Sequence, residues 1–405
     1  MPALSAHPPG MRYARTMIRD FDFDRPIDRL GGACPDSVKW NRYRGRDVIP
    51  LWVADMDFAA PPAVVEALAA RVAHGVFGYG QPWPSLTDAV IDHMAREYGW
   101  AVEADWIVWL PGLVTGLNIA CRAVGETDDA VFTSTPVYPP FLSAPHNSGR
   151  RVVTAPLVRS NGGWAWDFEA VAKVLDETKP RLLLLCHPHN PVGRAWRDDE
   201  LRQLLDLAKR HGAVVCSDEI HCDLILDPAR RHRPFAALSP EAAQRTITLM
   251  APSKTFNVPG LGCAYAVIAE PSLRQAFRHA MSGIVPHVNT LGLVACEAAL
   301  RHGGAWRSAL LDYLSGNAVR VQRIVAGQPG LAMAPVEATY LAWIDARGLG
   351  VAEPQRFFEE AGVGLSDGAE FGAPGFVRLN FGCRRALLDE ALARMASACA
   401  SMGPI

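Results

Sequence analysis

Three polar residues stand where apolar runs of this chain end: Asn190 in CHPHNPVG, Asp218 in VVCSDEIHC and Lys254 in APSKTFNVPGL (Ala251 to Leu261). Lys254 follows Thr246 to Met250, a run that reads as a buried strand, and the turn formers Asn257, Pro259 and Gly260 come after it. Desolvation disfavours a charged amine, so a lysine leaving a buried strand is costly unless it is paired or used. Used, it is a nucleophile, a base or the partner of an aldehyde; the plain alternative is a loop lysine in solvent. Asp218 leaves an equally apolar strand and needs a reason to be there too. A fourth feature is a turn, Pro111-Gly112, that leads the strand WIVWL (Trp106 to Leu110) into the amphipathic segment LVTGLNIACRAV. The first amides of such a helix, near Leu113 and Val114, form a seat for an anion.

One lysine, one acid, one amide and an anion seat match what pyridoxal phosphate requires: a lysine for its aldehyde, an acid at its ring nitrogen, a donor to its 3-oxygen, an aromatic face and a phosphate pocket. Asp218 suits the nitrogen, Asn190 or His221 the 3-oxygen, and Tyr138 in TPVYPPF the ring face. Each residue alone has a structural alternative, as an ion-pair partner, a turn former or plain packing. A metal site is a weaker reading, since His187, His189, Asp218, His221 and Cys222 supply ligand types without the spacing of a zinc motif. GxGxxG, GxxxxGK[ST] and GxSxG are all missing, which removes support for dinucleotide, P-loop and serine-hydrolase chemistry.

The elements that must position these groups follow from the pattern. Strands are expected at 106–110, 130–135, near 151, 181–186, 213–220, 246–250 and from 263, with helices between them such as 167–177 and 198–211. Continuously apolar strands alternating with helices imply a mostly parallel sheet covered on both faces, with ligands at the carboxyl ends of its strands. The expected fold is therefore α/β: a three-layer α/β/α large domain over residues 60–300. A smaller α+β domain comprises 301–405 together with an arm at 20–59 that carries Trp40, Trp52, Met56 and Phe58; residues 1–19 are Pro-rich and expected to be disordered or extended. At 405 residues and a formal net charge of -2 there is no basic field for nucleic acid, and the local cluster ARRHR (229–233) reads as a solvated turn. No apolar run approaches the roughly 20 residues that span a bilayer, no signal core is present, and nine cysteines without a CxxC pair read as buried thiols in a reducing compartment, so the cytoplasm is expected.

The strings SDEIHCDL, CHPHNPVGR, APSKTFN, EATYLAWID and VRLNFGC, with KWN (39–41) and WVADMDF (52–58) ahead of them, resemble the fold-type I pyridoxal-phosphate enzymes, and within these the MalY/PatB-type cystathionine β-lyases. The resemblance covers about residues 20 to 400. It implies Lys254 as the Schiff-base lysine, Asp218 at the pyridine nitrogen, Asn190 at the 3-oxygen, Tyr138 stacked on the ring and Arg378 as the binder of the substrate carboxylate. It also implies a homodimer in which Tyr79, from the loop FGYG, reaches the phosphate of the neighbouring subunit's cofactor. Two positions depart from the aminotransferase pattern. His221 stands where many of those enzymes have tyrosine, and Gly262 stands where they carry an arginine or lysine for the phosphate, leaving Ser253, the helix amides and Tyr79 to hold it.

The implied activity is α,β-elimination of cystathionine or a related cysteine thioether to thiol, pyruvate and ammonia. Amino transfer by the same residues is the alternative, and a regulatory protein-binding role with the cofactor retained ranks below both.

Overall fold

The computed structural model describes residues 21–402 except 33 and 161, so the expectation for residues 1–19 lies outside the described residues. An eight-stranded sheet forms the centre, in the order 107–110, 264–267, 246–250, 214–218, 182–186, 130–135, 151–160, 163–166. The pairs from 246–250 through 214–218, 182–186 and 130–135 to 151–160 are parallel, while Ala264–Val267 and Gly163–Trp166 run antiparallel to their neighbours. The central strands are continuously apolar because both faces are covered. Leu182 and Leu184 pack with the helices Leu113–Ala123 and Pro271–Met281 on one side, and Leu183 and Leu185 with Asp198–His211 and Phe168–Thr178 on the other.

Register decides where the chemistry lands. Cys186 lies opposite Asp218, and Asp218 opposite Leu249, so three strands end level and the loops carrying Asn190, His221 and Lys254 leave the same sheet edge.

A second, antiparallel sheet in the order 332–333, 341–345, 376–380, 366–367 is packed by the helices Gly304–Ala326 and Arg385–Ser401. It delivers Arg378 from the buried strand Phe376–Asn380. An arm runs between the two sheets: Met56 is buried, Phe58 packs edge-on to Phe23 and Tyr313, and Ile49–Pro50 pairs parallel with Val363–Gly364.

Three local expectations change. The strand from Arg151 runs on to Ser160, paired with Gly163–Trp166, because Trp164 and Trp166 alternate into the core beneath it. Trp106 belongs to a short 3₁₀ turn, and the strand begins at Ile107. The segment 229–233 is not a solvated turn: His232 is buried with Nε2 2.7 Å from Glu219 Oε2, Arg230 pairs with Glu337, and Arg233 with Asp198. Charge composition cannot reveal such pairing, since the acids come from distant parts of the chain.

The turn after Asp218 is anchored from behind by Asp223. Its carboxylate accepts from Tyr98 Oη at 2.6 Å and Arg307 Nη1 at 2.7 Å, and lies 3.2 Å from His93 Nε2, tying the helices Pro84–Tyr98 and Gly304–Ala326 to the site. Burial raises the carboxyl's pKa, but His93 and Arg307 outweigh it and hold the group well below the ordinary carboxylate range. The stability it contributes is present above the unfolded value near 4 and is lost as pH falls below it. Asp223→Ala removes one partner of a buried network and is expected to destabilise the chain by about 3–5 kcal/mol, read as a lowered melting temperature at pH 7 that converges on the parent's in acid.

Candidate active site

A cavity of about 270 Å³ opens where the strand ends, the arm and the second sheet meet. Its walls include Tyr138, Asn190, Asp218, His221, Lys254 and Arg378, and at one end Gly112 to Thr115, Ser253 and Gly262. Of the residues assigned to the cofactor and substrate in the sequence, Tyr79 lies elsewhere, as do His187, His189 and Cys222 of the metal reading. Tyr79 sits fully exposed in the loop between Pro62–His74 and Pro84–Tyr98, away from the cavity of its own chain.

At the centre, Lys254 Nζ donates to the Ala54 carbonyl at 2.5 Å, and Tyr340 Oη donates to the same oxygen at 2.9 Å. Burial lowers the amine to about 8; Asp55 and Asp218 oppose that shift and Arg378 reinforces it. Asp218 accepts only the Ile220 amide, at 3.1 Å, and burial raises its carboxyl to about 7 although that bond and Lys254 pull it down. Burial, then Lys254 and Arg378, push His221 down to about 3, so its ring is neutral. Tyr138, raised by burial, keeps its phenol proton at neutral pH.

Arg378 is set at the opposite wall. Nη1 donates to Asn190 Oδ1 at 3.0 Å, Nη2 to the Trp52 carbonyl at 2.9 Å and Ser366 Oγ at 3.3 Å, and the guanidinium lies 4.7 Å from the centre of the Phe371 ring. Burial lowers it to about 10, which leaves it charged at neutral pH. Among the described residues no carboxylate answers that charge in a direct ion pair.

The remaining end is built from backbone. Gly112 precedes the helix Leu113–Ala123 without a side-chain cap, and its carbonyl takes the amide of Gly116, the first to bond within the helix. The amides of Leu113, Val114 and Thr115 thus precede the first intrahelical bond and face the cavity end. Gly262 explains the absent cation in conformational terms. At φ +57 it is left-handed, and a Cβ there would stand 3.3 Å from the Pro111 carbonyl, so a long basic side chain is disfavoured at this point.

The histidines that suggested metal ligation are divided among other tasks. His187 Nε2 meets the Arg233 carbonyl and its ring packs on His232, while His189 Nε2 meets the Pro136 carbonyl. Among the described residues no group of three or more His, Cys, Asp or Glu side chains gathers as a metal site. Sequence reasoning passed over Tyr340, Ser366 and the arm's carbonyls. EATYLAWID and WVADMDF contain two of these features, but an accepting carbonyl has no residue-type signature.

A parallel sheet edge that converges a lysine, an acid and an amide on a helix-end anion seat, with an arginine brought from a second sheet, defines an amino-acid-transforming enzyme of the aminotransferase fold. The chain belongs to the aminotransferase class I and II family, whose profile matches residues 46–395. It is 38% identical to the cystathionine β-lyase PatB of Bacillus subtilis (strain 168) over 392 residues, covering 93% of this chain and 99% of that protein. The crystal structure of OvoB is 48% identical with a TM-score of 0.91, covering 94% of this chain and 100% of its own. Cystalysin from Treponema denticola, whose structure contains pyridoxal 5'-phosphate, is 32% identical with a TM-score of 0.89 and covers 94% of this chain and 99% of its own.

The two shifted groups act in opposite directions on the cofactor-free protein. Asp218 holds its proton longer folded than unfolded, so stability falls as pH rises from about 4 to about 7. Lys254 gives up its proton earlier when folded, so stability rises from about 8 to about 10.4. Buried Glu219, also raised to about 7, and the buried histidines add slopes of their own, so the check is the difference from the parent: Asp218→Asn is expected to gain melting temperature relative to the parent as pH rises from about 4 to about 7, and Lys254→Met to lose it from about 8 to about 10.4.

Proposed function

We propose that this chain is a pyridoxal-phosphate-dependent carbon-sulfur β-lyase that eliminates a thiol from cystathionine or a related cysteine S-conjugate, yielding pyruvate and ammonia. The observation that carries the reading is the convergence of Lys254, Asp218, Asn190 and Arg378 on one cavity whose end is a row of helix-end amides. The fit to the cofactor rests on unspent polar groups. His221 Nδ1 and Arg378 Nε are buried without partners, and Asp218 has a single bond where a carboxylate accepts several. Likeness to a cystathionine β-lyase and to cystalysin supports the same choice of chemistry.

In this reading Lys254 anchors the cofactor's aldehyde, Tyr138 covers its ring, Asn190 with His221 faces the 3-oxygen, and the amides of Leu113 and Val114 with Ser253 take the phosphate. Pyridoxal phosphate bound there supplies an electron sink for negative charge at the substrate Cα, which allows a group on Cβ to leave. Asp218 keeps a proton at the pyridine nitrogen; the positive ring also gives its carboxylate the partner that burial otherwise denies it. Arg378 takes the substrate carboxylate in its planar fork, exchanging the Trp52 carbonyl for a charged acceptor. When its amine is free, Lys254 would remove the Cα proton, and burial, which lowers that amine to about 8 in the cofactor-free site, favours its neutral form.

The active unit we infer is a homodimer in a reducing cytoplasm. Eight of the nine free thiols are buried, and no helix among the described residues is long and apolar enough to cross a membrane. Tyr79 and the exposed Val65, Val72, Val76 and Phe77 form an outward surface suited to a second copy, and Tyr79 from that copy would serve the phosphate end that Gly262 leaves without a cation. Tyr79→Ala is expected to weaken cofactor binding about tenfold, the loss of one hydrogen bond to a charged group, with the dimer intact by sedimentation; unchanged affinity would remove Tyr79 from the site.

Amino transfer uses the same residues, with Lys254 returning the proton to the cofactor rather than allowing elimination. The purified protein is expected to be yellow, and Lys254→Ala to lose the visible band. Pyruvate and thiol should form from cystathionine with no keto acid added; activity only with a keto-acid acceptor would establish the transferase instead. Arg378→Ala should raise KM about 100-fold, from loss of a bidentate charged contact.

A further inference from the structure

The arm segment 52–58 crosses the site as an irregular, twice-bent stretch outside any sheet, so its peptide carbonyls have no strand partner; Val53 O takes the Asp55 amide at 3.1 Å, and the other donors to them are side chains. Most take more than one donor, Lys39 Nζ adding a bond to Asp55 O at 3.2 Å and Arg29 Nη1 one to Met56 O at 3.0 Å. Trp52 O accepts from Arg378 and Ser366; Val53 O and Asp55 O both accept from Asn380 Nδ2, at 2.6 and 2.7 Å; Ala54 O accepts from Lys254 and Tyr340. Met56 O and Phe58 O accept from Asn257 Nδ2 at 2.9 and 2.7 Å, and Asn257 Oδ1 takes the Met56 amide at 2.9 Å.

The donors fall into a pattern. Asn257 lies three residues beyond Lys254 on the same loop, and Asn380 two residues beyond Arg378 on the same face of the same strand. Each chemical side chain therefore has an asparagine neighbour that grips the arm beside the carbonyl on which that side chain rests. Asn380 holds the carbonyls on both sides of Ala54, and the intervening Ala54 carbonyl takes Lys254 and Tyr340. Asn257 makes its three bonds from a left-handed backbone at φ +53, a conformation uncommon outside glycine.

We propose that Asn257 and Asn380 are positioning residues that clamp the arm, so that the Ala54 carbonyl orients the Lys254 amine whenever that amine is free. An amine donating to a fixed carbonyl has its lone pair restricted to the remaining directions, including the cavity. A base displaced by about 1 Å can lose about 100-fold in rate. Arg378 is less dependent on the arm, because Asn190 and Ser366 also hold it. The effect of loosening the arm therefore falls on proton removal more than on substrate binding. This inference rests on the assignment of Lys254 as the base.

The test uses the holoenzyme with Asn380→Ala and Asn257→Gly, glycine being chosen because it keeps the left-handed backbone without strain. Amide hydrogen exchange over 52–58 is followed alongside steady-state kinetics. Both variants are expected to exchange at least about tenfold faster in the arm, and to lose at least about tenfold in kcat with KM within about threefold. Arm exchange unchanged in both variants, faster exchange with kcat retained, or kcat and KM shifting equally would each overturn the proposal. If one variant fails to fold, the other decides it. Arm exchange reads the clamp whichever amino-acid reaction the enzyme performs, so its failure is distinguishable from failure of the lyase reading.

Discussion

A desolvated amine must spend its hydrogens somewhere, and the bond from Lys254 to the Ala54 carbonyl is where this chain spends one. That contact joins the end of a buried strand to an arm 200 residues earlier, and it forces the arm to lie across the sheet edge at one height. Tyr340 joins Lys254 on that carbonyl, and the arm's other carbonyls find Arg378, Asn380 and Asn257 as donors from both sheets. The cavity is the space left between the sheet edge and an arm held by its own unpaired backbone.

The electrostatics follow from the same enclosure. Burial pushes Lys254 down and Asp218 up, so both titrate nearer neutrality than they do in water. Arg378 stays charged because its pKa begins far above neutrality, and it is kept from a competing carboxylate. A guanidinium held by one carbonyl, an amide oxygen and a hydroxyl can exchange one of them for the carboxylate of the proposed substrate. The end proposed for the phosphate differs, offering amide hydrogens and the helix dipole, since the left-handed Gly262 disfavours a basic side chain at that point.

How much of this was legible varied with the kind of interaction. Strand bounds such as Thr246–Met250 and helix bounds such as Asp198–His211 were readable, because burial on both faces and a run of acids followed by bases leave residue-type signatures. The grouping of Asn190, Asp218 and Lys254 at one edge was readable too, since the βα alternation puts strand ends together. The pairing of His232 with Glu219 was not, because composition does not say which acid meets which base; nor was the extension of the strand Arg151–Ser160, although its partner Gly163–Trp166 follows directly, because the exposed residues between them carry no continuous apolar run. The two arm clamps were hidden for a further reason: an asparagine that grips carbonyls looks like one that forms a turn.

The sequence by itself determined the inventory and the edge. Apolar runs ending near Asn190, Asp218 and Lys254 read as buried strands whose polar ends share one sheet edge, and a glycine turn into a helix presents free amides there. The tertiary structure alone decided how those groups are aimed. Arg378 arrives from a second sheet, Tyr340 and the Ala54 carbonyl orient the lysine, and Tyr79 is left facing outward, away from its own cavity. Direction depends on which backbone carbonyls are left unpaired after the strands have formed, and every residue type carries the same carbonyl.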